Sequence, residues 1–201
     1  MGESQGVLRQ HHYELAFESY LRAHRVPYVA VDEARKALLP EGARLAVHDG
    51  AGGAGMRALK SFDFVMYPGA DRGDGGAAEN LLIDVKGRKV SARTRRGDAP
   101  GRLESWVTEE DVSSLTAWQS LFGAGFRAAF AFVYWCEAQP PDGLFQHIIE
   151  HRGRWYAVRA ILVDDYVACM RTRSVRWRTV HLATADFERL SRPLVGSGMA
   201  R

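Results

Sequence analysis

The spacing of apolar residues in the first half of the chain predicts one long helix and a pair of strands. Between residues 7 and 25, apolar residues recur every three or four positions, which is the period of a helix with one buried face. Residues 61–67 and 80–86 are rich in branched and aromatic side chains, and Gly87 closes the second segment. These two segments predict strands that pair as a hairpin across a long loop. Shorter elements are predicted at residues 28–31, a strand, and 33–39, a helical turn.

The second half of the chain alternates between helices and strands. Thr108 is predicted to open a helix, with Asp111 three residues later as a weak form of the capping box. Residues 128–136 are a continuous apolar run, as expected of a strand buried on both faces. The remaining predicted elements are a hairpin of residues 145–150 and 155–161 around Arg152 and Gly153, helices over 162–170 and 185–190, and a strand over 179–182. This order predicts an α/β or α+β fold, in which helices flank a mixed sheet.

The composition is that of an ordinary globular protein. The chain has 201 residues, of which 46% are hydrophobic and 25% are charged. No apolar run approaches the roughly 20 residues of a membrane-spanning helix, and residues 2–5 lack the apolar core of a signal peptide. We therefore expect a cytoplasmic protein with no membrane partner. Cys136 and Cys169 lie far apart without CxxC spacing, so packed thiols are expected rather than a disulfide or a zinc site.

Basic residues are concentrated in two segments, although the net charge is only +3. The first contains Lys86, Arg88, Lys89, Arg93, Arg95, Arg96 and Arg102. Beyond the predicted strand this segment lacks periodicity and contains Gly97 and Gly101, which predicts a loop. The second, residues 171–178, has four arginines around Trp177. Such clusters suit phosphate contacts and base stacking, but solvated loops look the same, and the charges alone leave both interpretations open.

Asp84 and Lys86 are the most informative polar pair in the chain. Because side chains alternate along a strand, both point to one face, while Ile83 and Val85 point to the other. An acid and an amine at the end of an apolar strand are costly to bury without partners. A metal ion on the carboxylate, with the amine near a phosphate or an attacking water, satisfies both groups. A simple ion pair also satisfies them, so this short motif leaves two interpretations open.

Asp63 shifts the balance towards a metal site. It is the one ionisable residue within the strand predicted at residues 61–67, and strand pairing brings it towards Asp84. Two carboxylates, a backbone carbonyl (here that of Val85) and waters are ligands that Mg²⁺ prefers. The alternative for Asp63 is a bulge or an edge position that faces solvent. Glu14, at the margin of the first helix's apolar stripe, is expected to add a ligand or orient a water, and Gln119 to add a polar contact.

The order of these residues carries a resemblance. Glu14 in a first helix, Asp63 in a strand, Asp84-Val85-Lys86 in the next strand and Gln119 in a later helix resemble the PD-(D/E)XK nuclease superfamily over residues 7–136. Residues 12–18, His-Tyr-Glu-Leu-Ala-Phe-Glu, resemble the HYExAFE family of uncharacterised bacterial proteins. The chain has Asp84 where many superfamily members have glutamate.

The superfamily resemblance implies a restriction-endonuclease-like central mixed sheet, cleavage of phosphodiester bonds that depends on Mg²⁺ (or Mn²⁺), and a homodimer as one possible assembly. We expect a single domain over residues 1–201, with a core at about 7–136 and a β-rich C-terminal extension at 137–201.

The leading hypothesis is a metal-dependent nuclease that acts on DNA, in repair or junction processing. Asp63, Asp84, Val85 and Glu14 are the expected metal ligands, and Lys86 is expected to steady the phosphate and position a water. Contacts with nucleic acid are predicted for Arg88, Lys89, Arg93, Arg95, Arg96 and Arg102. The alternative is a nucleic-acid-binding protein on the same fold without catalysis. The paired acids favour the enzyme, because a pure binder has no use for carboxylates beside phosphates.

Overall fold

The computed structural model of this protein describes residues 3–32, 34, 46–48, 56–67, 79–90, 103–137 and 147–194. Most of the helical turn predicted at residues 33–39, and all of residues 91–102, lie outside this set. The main helices of the described residues are α1 (Glu3–Ala23), α2 (Glu109–Phe122), α3 (Val163–Cys169) and α4 (Thr184–Leu190). The strands are β1 (Tyr28–Ala30), β2 (Ala46–His48), β3 (Met56–Ala58), β4 (Phe64–Met66), β5 (Asn80–Val90), β6 (Val107–Thr108), β7 (Phe126–Cys136), β8 (Ile148–His151), β9 (Arg154–Leu162), β10 (Arg171–Ser174) and β11 (Thr179–His181).

A six-stranded mixed sheet forms the centre of the fold. Its strand order is β1-β4-β5-β7-β9-β8. The central pair, β5 and β7, is parallel, and the other neighbouring pairs are antiparallel. Two smaller sheets have the orders β10-β11-β6 and β2-β3. The predicted mixed sheet with flanking helices is confirmed, and so are the antiparallel β4–β5 and β8–β9 pairs.

Helices cover both faces of the central sheet. On one face, α1 packs Phe17 and Tyr20 against the sheet, and on the other face α2, α3 and α4 form the second layer. Strand β7 presents small residues such as Ala131 to α1, and Phe130 and Phe132 to the opposite layer, and all of them are fully buried. Small side chains let α1 lie close to the sheet, while aromatic rings fill the wider space on the other side. The expectation that residues 128–136 form a doubly buried strand is confirmed.

Gly87 lies within β5 and does not end it. The sequence predicted that the strand stops at Lys86, but β5 runs in parallel register with β7 as far as Val90. A Cβ atom on Gly87 would overlap the ring of Tyr13 on α1. The glycine is therefore the point at which the helix approaches the strand, and its missing side chain makes room for the tyrosine.

The β-rich segment after Cys136 is part of the central sheet. Strand β9 pairs with β7 along Ala129–Cys136, and β8 pairs with β9 around the turn at Arg152 and Gly153. Strand β11 pairs with β6, which directly precedes α2. Strands β8 and β9 therefore complete the central sheet, whereas β10 and β11 form a smaller sheet with β6; the sequence suggested a β-rich extension beyond residue 136.

Two further expectations concern cysteines and membranes. Cys136 and Cys169 are both free thiols, the first buried and the second partly buried, as predicted. Within the described ranges, no helix has the length and apolar character needed to cross a membrane.

Candidate metal and phosphate site

The site lies where β4 leaves β5. Strand β4 pairs with β5 across Leu81–Ile83, while β5 continues beside β7 for seven more residues. Asp63 directly precedes β4, and its backbone N–H donates to the Ile83 carbonyl at 2.8 Å. Its carboxylate Oδ2 accepts a hydrogen bond from the backbone N–H of Val85 at 2.6 Å. The Asp63 side chain thus satisfies the backbone of β5 at the point where the neighbouring strand turns away.

Asp84 and Lys86 form a buried ion pair on one face of β5. The Nζ of Lys86 lies 2.8 Å from Oδ2 of Asp84, and the two residues are only 8% and 7% exposed. Leu82, two residues earlier, packs in the layer that contains α2, whereas Ile83 and Val85 pack on the α1 side. The alternation expected from the sequence therefore places the acid and the amine together in the α2 layer.

Asp111 is a third member of this cluster, which the sequence analysis did not include. Its Oδ1 lies 3.1 Å from Nζ of Lys86, and the residue is buried. The position follows from the start of α2, where a complete capping box joins Thr108 and Asp111. The N–H of Asp111 donates to Oγ1 of Thr108 at 3.0 Å, and Oδ2 of Asp111 accepts from the Thr108 N–H at 2.9 Å. The capping pattern was visible in the sequence, but its contact with Lys86 depends on how α2 packs on the sheet.

Lys60 brings a second ammonium group to the cluster. Its Nζ forms an ion pair with Oδ1 of Asp111, and about half of its side chain is exposed. The Lys60 backbone is fastened to α2, because its N–H donates to Oγ of Ser114 at 3.2 Å and its carbonyl accepts from the Trp118 indole at 2.9 Å. Lys60 precedes the predicted strand, so no motif in the sequence marked it.

The electrostatic environment of the cluster is strongly perturbed. Burial, and then the charge of Asp84, raise the pKa of Asp63 well above its usual range. Burial also raises the pKa of Asp84, although the Lys86 ammonium opposes the shift. Burial alone would lower the pKa of Lys86, but Asp84 and Asp111 outweigh it, and the pKa of Lys86 is raised. Lys86 is consequently an ammonium group near neutral pH, and cannot act as a base.

Asp111 responds in the opposite direction to the other two acids. Burial would raise its pKa, but Lys86, Lys60 and the Thr108 backbone together lower it below its usual range. Asp111 is therefore the firmly ionised partner of Lys86. In Asp63 and Asp84, by contrast, the protein environment disfavours the ionised form of the carboxyl group, because their pKa values are raised.

Glu14 approaches from the other side of the sheet. It lies on α1, next to the Tyr13 ring that covers Gly87. Its charge adds to the raised pKa of Asp63, after the larger effects of burial and of Asp84. Glu14 thus lies on the α1 side of the sheet, whereas Asp84 and Lys86 lie in the α2 layer, and its part in a metal site stays a prediction.

Gln119 makes hydrogen bonds that join α2 to its neighbours. Its Oε1 accepts from the Ala128 N–H at 2.6 Å, and its Nε2 donates to the Asp164 carboxylate at 3.1 and 3.3 Å. These contacts fasten the last turn of α2 to the start of β7 and to α3. A contact between Gln119 and the acidic cluster stays a prediction.

The predicted nucleic-acid contacts are divided between described and undescribed residues. Arg88 donates to the carbonyls of Gly87 and Trp106, and its guanidinium lies 3.9 Å from the centre of the Trp106 ring. Lys89 is paired with Glu137 at 2.7 Å. Arg93, Arg95, Arg96 and Arg102 lie outside the described residues. The described contacts of Arg88 are therefore internal to the fold, and its role in binding stays a prediction.

The oxygen donors at this edge define the candidate metal ligands. Among the residues that the structure describes, no three His, Cys, Asp or Glu side chains are grouped so that they could hold a metal ion. The candidates are the carboxylates of Asp63 and Asp84 together with the Val85 carbonyl. Because the N–H and C=O of one residue in a strand point to the same side, and the Val85 N–H points to Asp63, its carbonyl also faces that side.

No protein-family model and no curated protein sequence matches the chain. In structure the chain is similar to Hjc, a Holliday junction resolvase from the archaeal hyperthermophile Archaeoglobus fulgidus, with a TM-score of 0.42 and 16% sequence identity. The alignment covers 89% of this chain and 92% of the resolvase. A likeness at this level does not identify a function, and membership of the PD-(D/E)XK and HYExAFE families stays a prediction from the residues.

Proposed function

We propose that this protein is a divalent-metal-dependent nuclease that hydrolyses phosphodiester bonds in nucleic acid, with DNA as the expected substrate. The observation that carries the proposal is the convergence of Asp63, Asp84 and Lys86 at the place where β4 leaves β5. Two interacting carboxylates with raised pKa values are poorly compensated in the free protein. A cation beside them relieves that repulsion, and a phosphate beside Lys86 finds a permanent positive charge.

The donor set fits Mg²⁺ or Mn²⁺. Asp63, Asp84 and the Val85 carbonyl offer oxygen ligands only, and Mg²⁺ in phosphate-processing sites takes one or two carboxylates and keeps several waters. In this proposal Glu14, whose charge adds to the raised pKa of Asp63, supplies a further ligand or orients one of those waters. When bound, the ion supplies a more acidic water and neutralises charge on the phosphate. In this arrangement Asp84 serves both the ion and Lys86, whose Nζ is 2.8 Å away.

Lys86 and Lys60 have different tasks in this proposal. Lys86 is buried and held from two sides by Asp84 and Asp111, so its ammonium has a fixed position for the negative charge that develops on the phosphate. Lys60 is half exposed and shares Asp111 with Lys86. Its half-exposed ammonium can therefore meet substrate phosphate at the outer margin of the site, while its pairing with Asp111 also helps to balance the buried charge.

The same cluster also supports a second candidate, a nucleic-acid-binding protein without catalysis. Lys86 and Lys60 are already paired with Asp84 and Asp111, so much of the charge at the site is balanced within the protein. A chain that retained the fold but not the reaction would keep this structural network. The distinction lies in whether Asp63 and Asp84 respond to metal.

Asp84→Asn separates the two candidates. In Mg²⁺ or Mn²⁺, wild type is expected to cleave at least one member of a panel of labelled single-stranded, duplex and branched DNA and RNA, and EDTA is expected to stop cleavage. Asp84→Asn should reduce the rate by at least about 100-fold. Without metal it should bind nucleic acid as well as wild type or more tightly, because a negative charge beside the phosphate is gone.

Asp165→Asn, an acid on α3 outside the cluster, is the matched control and should cleave as wild type does. If wild type cleaves nothing on the panel with either metal, the binding-protein candidate replaces the enzyme. If Asp84→Asn cleaves at the wild-type rate, the chemistry lies elsewhere in the chain.

A further inference from the structure

The turn between β10 and β11 presents large apolar side chains to solvent. Val175 is 83% exposed and Trp177 is 69% exposed. The turn is nevertheless well tied, because the Arg178 N–H donates to the Val175 carbonyl at 3.2 Å and the Trp177 N–H donates to Oγ of Ser174 at 3.3 Å. The Trp177 side chain points to solvent from an ordered turn and so contributes little to the hydrophobic core. Exposed apolar side chains that lie together in this way mark binding surfaces.

The same hairpin is positively charged along its length. Residues 171–181 contain four arginines and no acidic residue, and these arginines are Arg171, Arg173, Arg176 and Arg178. Three of them pair with acids outside the hairpin, namely Glu104, Glu109 and Asp186, and the side chains of these pairs are 41–77% exposed except that of Asp186, at 25%. Exposed pairs of this type contribute little to stability, so a phosphate group can take the place of the acid. The charge of the hairpin therefore suits a polyanion.

The tip of the hairpin lies beside the helix end that supplies Asp111. The Glu109 N–H donates to the Arg178 carbonyl at 2.9 Å, and Nε of Arg178 lies 3.0 Å from Oε2 of Glu109. Glu109 is the first residue of α2, two positions before the aspartate that contacts Lys86. The tip of the hairpin is thereby joined to the same end of α2 that contributes Asp111 to the buried charge cluster.

The other end of the hairpin borders a cavity. It has a volume of about 300 Å³, and its walls include Trp106, Arg173 and His181. The Arg173 guanidinium lies 5.0 Å from the centre of the Trp106 ring, and the Arg176 guanidinium lies 5.2 Å from that of Trp177. An aromatic ring with an arginine beside it therefore occurs at both ends of the hairpin. Arg88 also covers the Trp106 ring, whereas Trp177 at the tip is largely exposed and can stack on a base.

A purely protective role explains only part of this surface. Strand β10 is an edge strand, and charged side chains on an edge prevent pairing with other chains. That accounts for Arg171 and Arg173. It does not account for Trp177 and Val175, because exposed apolar groups at a turn promote association instead of preventing it.

We infer that the β10–β11 hairpin binds a single-stranded or locally unpaired stretch of nucleic acid. Trp177 stacks on an unstacked base, and Arg176 and Arg178 contact the flanking phosphates. Intact duplex offers no free base face to Trp177, so the hairpin favours substrates with single-stranded character. The inference rests on the proposed function only in taking nucleic acid as the ligand, and it does not require that the protein cleave it.

The test measures binding in EDTA, so that cleavage plays no part. The probes are a labelled single-stranded 20-mer and the matching duplex, titrated with the full chain at constant salt. Trp177→Ala is expected to weaken single-strand binding about tenfold and duplex binding less than twofold, while Trp177→Phe retains most of the affinity. Leu121→Ala, at an exposed leucine on α2, is the matched control and should bind as wild type does.

A second measurement isolates the phosphate contacts. Arg176→Ala should reduce the slope of log affinity against log salt for the single strand by about 0.7, the value for one lost phosphate contact. Arg152→Ala, which removes an exposed arginine from the β8–β9 turn, should leave the slope unchanged.

Each outcome bears on one proposal or the other. If Trp177→Ala binds the single strand as tightly as wild type, the inference is overturned, even when the enzyme cleaves DNA. If Trp177→Ala changes the sedimentation of the protein but not its affinity, the tip is a contact between copies of the chain and the inference is also overturned. If Trp177→Ala loses affinity for the single strand while wild type cleaves nothing with Mg²⁺ or Mn²⁺, the hairpin is confirmed as a binding site and the proposed nuclease activity is rejected.

Discussion

Lys86 is the residue on which the charge balance of the site depends. It is a buried ammonium with carboxylates on two sides, Asp84 at 2.8 Å and Asp111 at 3.1 Å. Taking these charges out of water is costly, and the cost is offset only while all three groups remain together. The pair in the middle of β5 is therefore also a structural element, which a motif of three residues in the sequence does not reveal.

Because Lys86 neutralises two carboxylates, replacing Lys86 should lower the free energy of unfolding more than replacing Asp84 does. Lys86→Met leaves Asp84 and Asp111 without their shared cation, and we expect the free energy of unfolding to fall by about 3–5 kcal/mol. Asp84→Asn should cost less, because the ammonium keeps Asp111 and the amide still accepts a hydrogen bond. Urea unfolding monitored by circular dichroism measures both changes.

The double variant Asp84→Asn/Lys86→Met serves as the control for this comparison. It removes a positive and a negative charge together, so it should be more stable than Lys86→Met alone. Equal stability of the three variants would mean that the buried pair is already solvated, and that Lys86 has no structural role.

At this scale the sequence predicted the pair but not its surroundings. The period of two along β5 correctly places Asp84 and Lys86 on one face, since that alternation is a property of any strand. Lys60 and Asp111 could not be assigned in the same way. They reach Lys86 because α2 packs on the sheet and holds the Lys60 backbone, and neither contact has a local signature in the chain.

Helix α1 is fixed to the central sheet by the approach of Tyr13 to Gly87. The ring occupies the place of a Cβ atom, and Glu14 follows it directly in the helix. The position of Glu14 relative to Asp63 therefore depends on a glycine in the middle of a strand. From the sequence, Gly87 was expected to end β5, because glycine more often marks a strand boundary than a close helix contact.

Gly87→Ala is expected to push α1 away from the sheet. The added methyl group overlaps the Tyr13 ring, and overpacking of this kind typically costs about 1–3 kcal/mol. If the chain is a nuclease, the cleavage rate should also fall under conditions in which the variant remains fully folded, since Glu14 moves with the helix. Urea unfolding and single-turnover cleavage measure the two effects.

A double-mutant cycle tests the cause of this loss. In a Tyr13→Ala background the clash is absent, so Gly87→Ala should cost much less than it does in wild type. The same cost in both backgrounds would show that Gly87 matters through its backbone conformation and not through the space it leaves for Tyr13.

The order of elements was largely predictable, whereas their assembly was not. Helical and strand periods identified α1, β7 and the β8–β9 hairpin, because these signals reside in short stretches of sequence. The parallel pairing of β5 with β7, and the pairing of β9 with β7, join segments that lie far apart in the chain. Those pairings are decided by which apolar faces must be covered together, so the pairing of β8 and β9 with the central sheet could not be read from the sequence.

Truncation after residue 137 is expected to abolish folding. The cut removes β9 and leaves the edge of β7 unpaired, and it takes α3 and α4 away from one face of the sheet. It also removes buried core residues on both sides of the sheet, among them Tyr156, Ile161 and Tyr166, each no more than 1% exposed. We expect residues 1–137 alone to be aggregated or to lack a cooperative thermal transition, as measured by size-exclusion chromatography and circular dichroism.

Co-expression with residues 138–201 should restore a soluble complex that unfolds cooperatively, because the same strand pairing is available without a covalent link. A soluble fragment of residues 1–137 with its own sharp transition would show that β9 is dispensable, and that the core ends near residue 136 after all.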